Sequence, residues 1–447
     1  MKLEPIKPIE GLQDPWAIGF YLLQKMQEQH GFYNNGRFFV AQDGVYIEYT
    51  HDELLRAILY MLQSKATQSK ISLIIERLRI DLTAEVPNMP TVIPFRSGFY
   101  DVDVMDFVPS TSFLITNRQT QYMPFKYDGK ALPVKWLTFL GEVFKGDEDA
   151  IQKERCLQEF FGYCFLRGQN FHKALVLYGA GGNGKSVILD VLAAVVPRTS
   201  RLEWSELGDQ RSTERLIDSW LNVSTEIAYK DTNGTTGFKK AIAGEPLAVN
   251  PKYKTAFEFT PFAKFAFATN GLPHIDDPSQ GVFRRLIVLV LNNSFVGREN
   301  WNLTSELIAE ASGIFNWAMQ GAKRLLQQGA FTEVPSNILE LAEYRMSINS
   351  LQSFVQEELA MKQGDEVGFA DFYRMYATYC HETGNKPFAR NKIRALIKQM
   401  GLKLEVIQMR TNERIIRAQV DFYAPKSRSD EKMPLNGTTL EDNDLPF

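Results

Sequence analysis

The chain has 447 residues, enough for roughly two to four domains, and its 44% hydrophobic and 23% charged residues are those of an ordinary globular protein. No window holds the roughly 18 uninterrupted apolar residues of a membrane span, and MKLEPIKPIEG lacks the apolar stretch of a signal peptide, so a cytoplasmic protein with no membrane partner is expected. Cys156, Cys164 and Cys380 lack metal-type spacing, which argues against a disulfide framework or zinc site, and a net charge of −3 excludes a protein that is basic overall while leaving room for a local basic lining.

In chain order, residues 1–130 read as a mixed α/β region. Trp16 to Gln29 has amphipathic helical spacing. Arg37 to Tyr49 alternates as a hairpin with Asp43-Gly44 at its turn, and His51 to Leu62 reads as a helix. Trp136 to Phe144 and Ile151 to Leu166 predict two helices of a small bundle within 131–170. Between 171 and 335 short apolar strands alternate with helices, which implies a mostly parallel sheet. Its strands are expected at Ala174–Tyr178, Trp220–Thr225, Lys264–Thr269 and Leu286–Leu291, with helices at Ser186–Val196 and across 303–330. Residues 351–424 read as a small domain of helices ending in a β-ribbon. The polar tail, 425–447, has little to bury and is expected to be disordered.

Gly179-Ala-Gly-Gly182-Asn183-Gly184-Lys185-Ser186 fits G-x-x-x-x-G-K-[ST] at every fixed position, between an apolar strand and a helix. Glycines let the backbone curl so that its N–H groups face phosphate oxygens, and the helix N-terminus adds partial positive charge. Lys185 is expected to neutralise the terminal phosphates of ATP, and the Ser186 hydroxyl to hold Mg²⁺. A glycine-rich turn that binds nothing would need both flanks to be coincidental.

Three further features have the chemistry of an ATPase. Glu226 ends an apolar strand 41 residues after Lys185, where a carboxylate can orient water and complete a metal shell. Its bland alternative is a solvated strand-end acid. Asn270 ends another strand and can hydrogen-bond a γ-phosphate or the attacking water; it is also an ordinary turn former before Gly271. Arg284-Arg285 precedes the next strand, where a guanidinium from a neighbouring subunit would suit developing phosphoryl charge; the alternative is a surface pair.

In this order the motifs resemble superfamily 3 helicases, and within them the phage/plasmid primase–helicase family related to the poxvirus replication helicase–primase. The resemblance spans about residues 90–425 and is strongest between 172 and 292. It implies an α/β, P-loop AAA+-like motor with an N-terminal α/β and helical collar region and a C-terminal winged-helix-like domain. It matches Glu226 to the Walker B acid, Asn270 to sensor 1 and Arg285, with Arg284 as runner-up, to an arginine acting in trans. Thr225 stands where many related motors carry a first Walker B acid. The segment with Lys252, Tyr253 and Lys254 matches a pore hairpin in which lysines grip backbone phosphates and a tyrosine stacks; Lys-Tyr-Lys is equally an exposed turn.

Phe95 to Leu166, with Trp136 and Phe161-Gly162-Tyr163, resembles the domain upstream of such motors. Asp101-Val-Asp103 has the form of a polymerase metal pair, but the rest of a primase domain is absent, so any primase is expected to be a separate protein. Between Lys386 and Arg417 lie nine Lys/Arg and two Glu, with Arg390, Lys392, Arg394 and Lys398 on or near one helix face. That pattern predicts a DNA-binding helix and wing, or a solvated basic face. The acidic Glu441-Asp-Asn-Asp444 followed by apolar Leu445-Pro446-Phe447 resembles the partner-docking tips of single-stranded DNA-binding proteins; an unpartnered acidic tail is the plain alternative. The expected function is a hexameric DNA helicase acting on single-stranded and forked DNA. An origin-binding initiator and a nucleotide-switched structural or packaging protein are its rivals.

Overall fold

The computed structural model describes residues 14–34, 36–168, 171–225, 235–250, 256–271, 280–298, 300–348, 350–361, 367–383, 387–390, 393, 396–397, 407–408, 414–416 and 422–425. The chain forms two compact units, Met1–Leu341 and Ala342–Phe447. No helix among the described residues is long and apolar enough to cross a membrane.

The first unit opens with α1 (Pro15–Glu28), capped by Asp14, whose carboxylate accepts from the Ala17 amide at 2.9 Å. Pro15 sits where a missing N–H costs nothing. A meander follows: β1 (Phe32–Asn34), β2 (Arg37–Gln42) and β3 (Val45–Tyr49). Asp43 and Gly44 both take positive φ at the β2–β3 turn, the geometry that a two-residue hairpin favours. Thr50 and Glu53 form a reciprocal capping box at the start of α2 (His51–Leu62). With α3 (Gln68–Leu82), these elements enclose Ile18, Leu22, Met26, Ile58, Met61 and Leu78.

A second meander, β4 (Val92–Phe95), β5 (Gly98–Asp101) and β6 (Asp106–Val108), leads to the short α4 (Thr111–Thr116). Asp101 turns the chain between β5 and β6: its Oδ1 accepts from the Asp103 amide at 2.9 Å. That hydrogen bond gives Asp101 a structural part in the turn. Among the described residues no cluster of three His, Cys, Asp or Glu side chains could hold a metal ion. Then come α5 (Val134–Val143) and α6 (Ala150–Phe165), which is buried throughout from Cys156 onward.

The central layer is a five-stranded sheet. In chain order its surroundings run β7 (Ala174–Tyr178), α7 (Lys185–Val195), β8 (Thr199–Ser200), β9 (Leu221–Ser224), α8 (Thr235–Ala243), β10 (Leu247–Val249), β11 (Phe257–Phe259), β12 (Lys264–Thr269), α9 (Gln280–Phe283) and β13 (Leu286–Val290). The sheet order is β13-β7-β12-β9-β8, and every pairing is parallel. All six residues of β12 are buried, as expected of a strand covered on both faces. β10 and β11 pair apart from this sheet as an antiparallel hairpin.

The span 303–330 is two helices, α10 (Leu303–Ile308) and α11 (Ala311–Gln328), rather than one. α11 crosses α6 with backbones in near contact. A side chain at Gly162 would collide with the Ala318 carbonyl, and one at Gly321 with the Gln158 carbonyl. Buried charge fixes the same crossing: Glu159 accepts from Arg324 Nε and the Thr332 hydroxyl, both at 2.6 Å. α12 (Pro335–Ile348) follows.

The second unit contains α13 (Ser350–Glu358), β14 (Leu359–Met361), β15 (Val367–Gly368), α14 (Phe369–Glu382), β16 (Ile407–Gln408), β17 (Arg414–Ile416) and β18 (Phe422–Pro425). Strand order is β15-β17-β16 in one small sheet, while β14 pairs with β18. Leu351, Phe354, Phe372, Tyr376, Ile393 and Ile397 form its core. The residues 426–447 lie outside the described ones.

Candidate nucleotide-binding cleft

The loop 179–184 leaves the C-terminal end of β7 and enters α7. Its shape depends on glycine at two positions in particular. Gly184 has φ +87° at the helix N-cap, where its Cα faces the Phe139 ring. Gly179 has φ +150°, and a Cβ there would collide with both Asn183 Nδ2 and the Leu291 carbonyl. An L side chain at either position would open the loop.

Lys185 is buried and its three N–H donors are all engaged by the loop itself. Nζ donates to the Gly179 carbonyl at 2.8 Å, the Ala180 carbonyl at 2.7 Å and Asn183 Oδ1 at 2.8 Å. Asn183 Nδ2 donates to the Leu291 carbonyl at 3.0 Å, which ties the loop to the residue after β13. Burial pushes the Lys185 ammonium below its usual pKa. Phosphate oxygens are therefore a better set of acceptors for it than loop dipoles alone, because they supply full negative charge.

The loop floors a cleft of about 700 Å³. Gly182, Asn183, Gly184, Lys185 and Ser186 line one wall; Thr225, Thr269, Asn270 and Gly271 line the other. This follows from topology: β12 lies between β7 and β9, so the chain leaving all three C-terminal ends converges on one edge. Ser186 and Asn270 are exposed to the cleft. The Thr269 hydroxyl accepts from the Gly271 amide at 3.1 Å, which fixes the turn carrying Asn270. Glu226 lies outside the described residues, directly after the cleft residue Thr225.

Glu203 also lines this cleft, and no sequence motif pointed to it. Leu202 and Trp204 on either side are buried while Glu203 is exposed, an alternation that turns its carboxylate outward. Asn222 in β9 holds the segment in place: its Oδ1 accepts from the Leu202 amide at 2.9 Å and its Nδ2 donates to the Leu202 carbonyl at 3.0 Å. Trp204 stacks on Phe238 at 3.6 Å between centroids.

Arg284 and Arg285 are not in the cleft. Leu286 pairs with Ala174 at the opening of β7, so both arginines stand at the opposite edge of the sheet. A five-residue strand, at about 3.3 Å per residue, puts roughly 16 Å between that edge and the loop. Arg284 is exposed. Arg285 donates to the Gly281 carbonyl, and its Nε is buried with no hydrogen-bond partner among the described residues. Burial, then the neighbouring Arg284, lowers its pKa.

Lys252, Tyr253 and Lys254 lie outside the described residues, in the connection between the paired strands β10 and β11. Arg390 is exposed in the second unit, with its guanidinium 4.9 Å from the Tyr373 ring centroid. Lys392, Arg394 and Lys398 lie outside the described residues, as does the turn at Thr411-Asn412-Glu413.

Residues 177–285 match a family described as a family of unknown function, DUF5906. That span begins within β7 and ends at Arg285. No curated protein matches the sequence. The apo structure of the NrS-1 C-terminal region aligns over 91% of this chain and 99% of that one, at 14% identity and a TM-score of 0.46. Two A-form apo structures of the same region align over 91% of this chain and 100% of those, at 13% and 14% identity, with TM-scores of 0.46 and 0.47. At these scores the likeness carries no argument about function.

Proposed function

We propose that this chain is an ATP-dependent DNA motor that assembles into a ring, in all expectation a hexamer, and unwinds duplex during phage or plasmid replication. The observation that carries the ATPase part is the cleft itself. A phosphate-type loop, a buried lysine and a strand-end asparagine meet at one edge of a parallel sheet. Its size suits a nucleotide, since ligand clefts run from about 300 to 1,000 Å³. The placing in phage or plasmid replication rests on the motif resemblance.

Mg²⁺-bound ATP would supply the phosphoryl group whose transfer to water drives movement. The backbone N–H groups of 181–186 and the N-terminus of α7 would hold its phosphates. Lys185 would exchange loop carbonyls for phosphate oxygens, and Ser186 would take a place in the metal shell. Glu226 would accept a proton from the attacking water, and Asn270 would orient that water. Arg285 cannot reach its own cleft, so its guanidinium would serve the cleft of a neighbouring copy, which makes assembly a condition of turnover.

Lys252, Tyr253 and Lys254, at the connection of an isolated hairpin, would contact one strand of DNA. The second unit, through Arg390, Lys392 and Arg394, would bind duplex as a winged helix. The deciding experiment is strand displacement on forked DNA with and without ATP, alongside ATPase activity. Hydrolysis stimulated by DNA together with displacement supports the motor. Hydrolysis without displacement, and sequence-specific duplex binding by the second unit, would move the reading to the origin-binding initiator.

A further inference from the structure

A second cleft, of about 550 Å³, lies under the opposite edge of the central sheet. Phe262, shortly before β12, lines its sheet side, while Trp220, the residue before β9, is fully buried behind Arg167. Asn34, Arg37 and Phe39 of the first meander face it, together with the segments 85–88 and 119–121. None of the nucleotide-cleft residues takes part.

Arg167, just after α6, lines this cleft in an unusual electrostatic position. Its guanidinium lies 4.4 Å from the Phe262 ring centroid and 5.1 Å from that of Trp220. Its Nε is buried and has no hydrogen-bond partner among the described residues. The acids of the cleft are Asp218 and Glu85. Asp218 is paired with Arg37 and also offsets part of the Arg167 charge, and Glu85 is exposed at the rim. Gln121 is likewise committed: it accepts from the Trp220 indole N–H and donates to the Asp218 carbonyl at 2.7 Å. What remains is one largely buried cation beside two aromatic rings, with its Nε donor unsatisfied among the described residues. Burial lowers its pKa, the sign of charge held without full compensation.

We infer that this cleft binds the phosphate group of a nucleotide, with Arg167 as its anchor. A guanidinium offers a planar fork that matches phosphate oxygens, and the two rings hold that plane in place. Asn88 and Thr120 provide further polar groups, and Phe262, partly exposed, gives the lining an apolar patch. The volume fits one nucleotide, free or within a strand.

The test is carried out on the full chain bearing Lys185→Ala, which silences the nucleotide cleft. Fluorescently labelled ATP and a labelled single-stranded oligonucleotide are titrated separately by anisotropy. One or both should still bind, and adding Arg167→Gln should weaken that binding on the order of tenfold or more. For a strand the salt dependence should also fall by about one phosphate contact. Arg167→Lys, which keeps the charge but not the fork, should lie between. Asn88→Glu, at an exposed rim position, adds repulsion without touching the core and decides the matter should the Arg167 variants fold poorly. Loss confined to ATP identifies a free nucleotide as the source, and loss confined to the oligonucleotide identifies a strand. The inference is overturned if neither probe binds the Lys185→Ala chain, or if Arg167→Gln and Asn88→Glu bind both probes like their parent.

Discussion

Lys185 Nζ and Asn183 Oδ1 stand 2.8 Å apart, and Asn183 passes the tie on to the Leu291 carbonyl at 3.0 Å. The lysine that is expected to meet phosphate is thus positioned by the loop before any ligand arrives. Lys185→Ala should lower ATP affinity by on the order of a hundredfold, through loss of a charge-assisted contact. Asn183→Ala should cost less, about tenfold, because it removes one acceptor and the Leu291 tether while the charge remains. Titration with labelled ATP measures both. Equal affinities across the two variants and the parent would show that the loop does not hold phosphate.

Two carboxylates are assigned different tasks. Glu226→Gln should bind ATP normally but lower turnover by about 10²- to 10⁴-fold, as loss of a general base does. Glu203 is exposed and lines the same cleft as Ser186 and Thr225, and it is proposed to serve the metal shell of a bound nucleotide. Glu203→Gln should therefore raise the Mg²⁺ concentration needed for tight ATP binding and leave binding in EDTA unchanged. An unaltered Mg²⁺ requirement would make Glu203 a rim residue only.

The position of Arg285 leads to a prediction about assembly. Arg285→Ala should bind ATP and fail to hydrolyse it, with losses of about 10³-fold or more. Mixed with Lys185→Ala, it should recover part of the activity at hybrid interfaces, where an intact cleft meets an intact arginine. A monomer with full ATPase activity would end the trans reading.

Lys252→Ala with Lys254→Ala should leave ATP hydrolysis near normal and reduce unwinding of forked DNA, since each lost phosphate contact weakens grip on the strand. Unwinding equal to the parent would remove these lysines from the DNA path.

Local pattern and long-range pairing differed in how far the sequence disclosed them. The Gly179–Ser186 loop was readable because glycine, lysine and serine each answer a separate steric or charge demand. The Asp43-Gly44 turn was readable for the same reason. The insertion of β12 between β7 and β9 was not, since nothing local to Lys264–Thr269 names its partners. Glu203 escaped notice because it belongs to no motif; only the buried–exposed–buried run Leu202-Glu203-Trp204 marks it. Helical periodicity ran through 303–330 and concealed the break around Ala309–Glu310. Gly162 and Gly321 are locally unfavourable in a helix, and the crossing of α6 and α11 explains them.

Lys264 gives the last prediction, one about pH. It opens β12, is buried, and its ammonium lies 4.3 Å from the Tyr163 ring centroid. Burial pushes its pKa down to about 8 from an ordinary 10.5. Below pH 8 the folded and unfolded chains both carry the proton, and the folded chain bears the net cost of the buried charge. Between pH 8 and 10.5 the unfolded chain keeps the proton and the folded chain does not. Stability therefore rises with pH through this window, by about 1.4 kcal/mol per unit for a single such group. Lys264→Met keeps the length of the side chain and removes the charge. It gives up the contact between cation and ring, a smaller term of about 1–2 kcal/mol. The variant should be more stable than its parent at pH 7, and that advantage should shrink steadily towards pH 10.5. Urea denaturation of both proteins at each pH isolates the effect, because the tyrosines that titrate at high pH are common to the two. A stability difference that stays constant from pH 7 to 10.5 would show that Lys264 does not change protonation on unfolding.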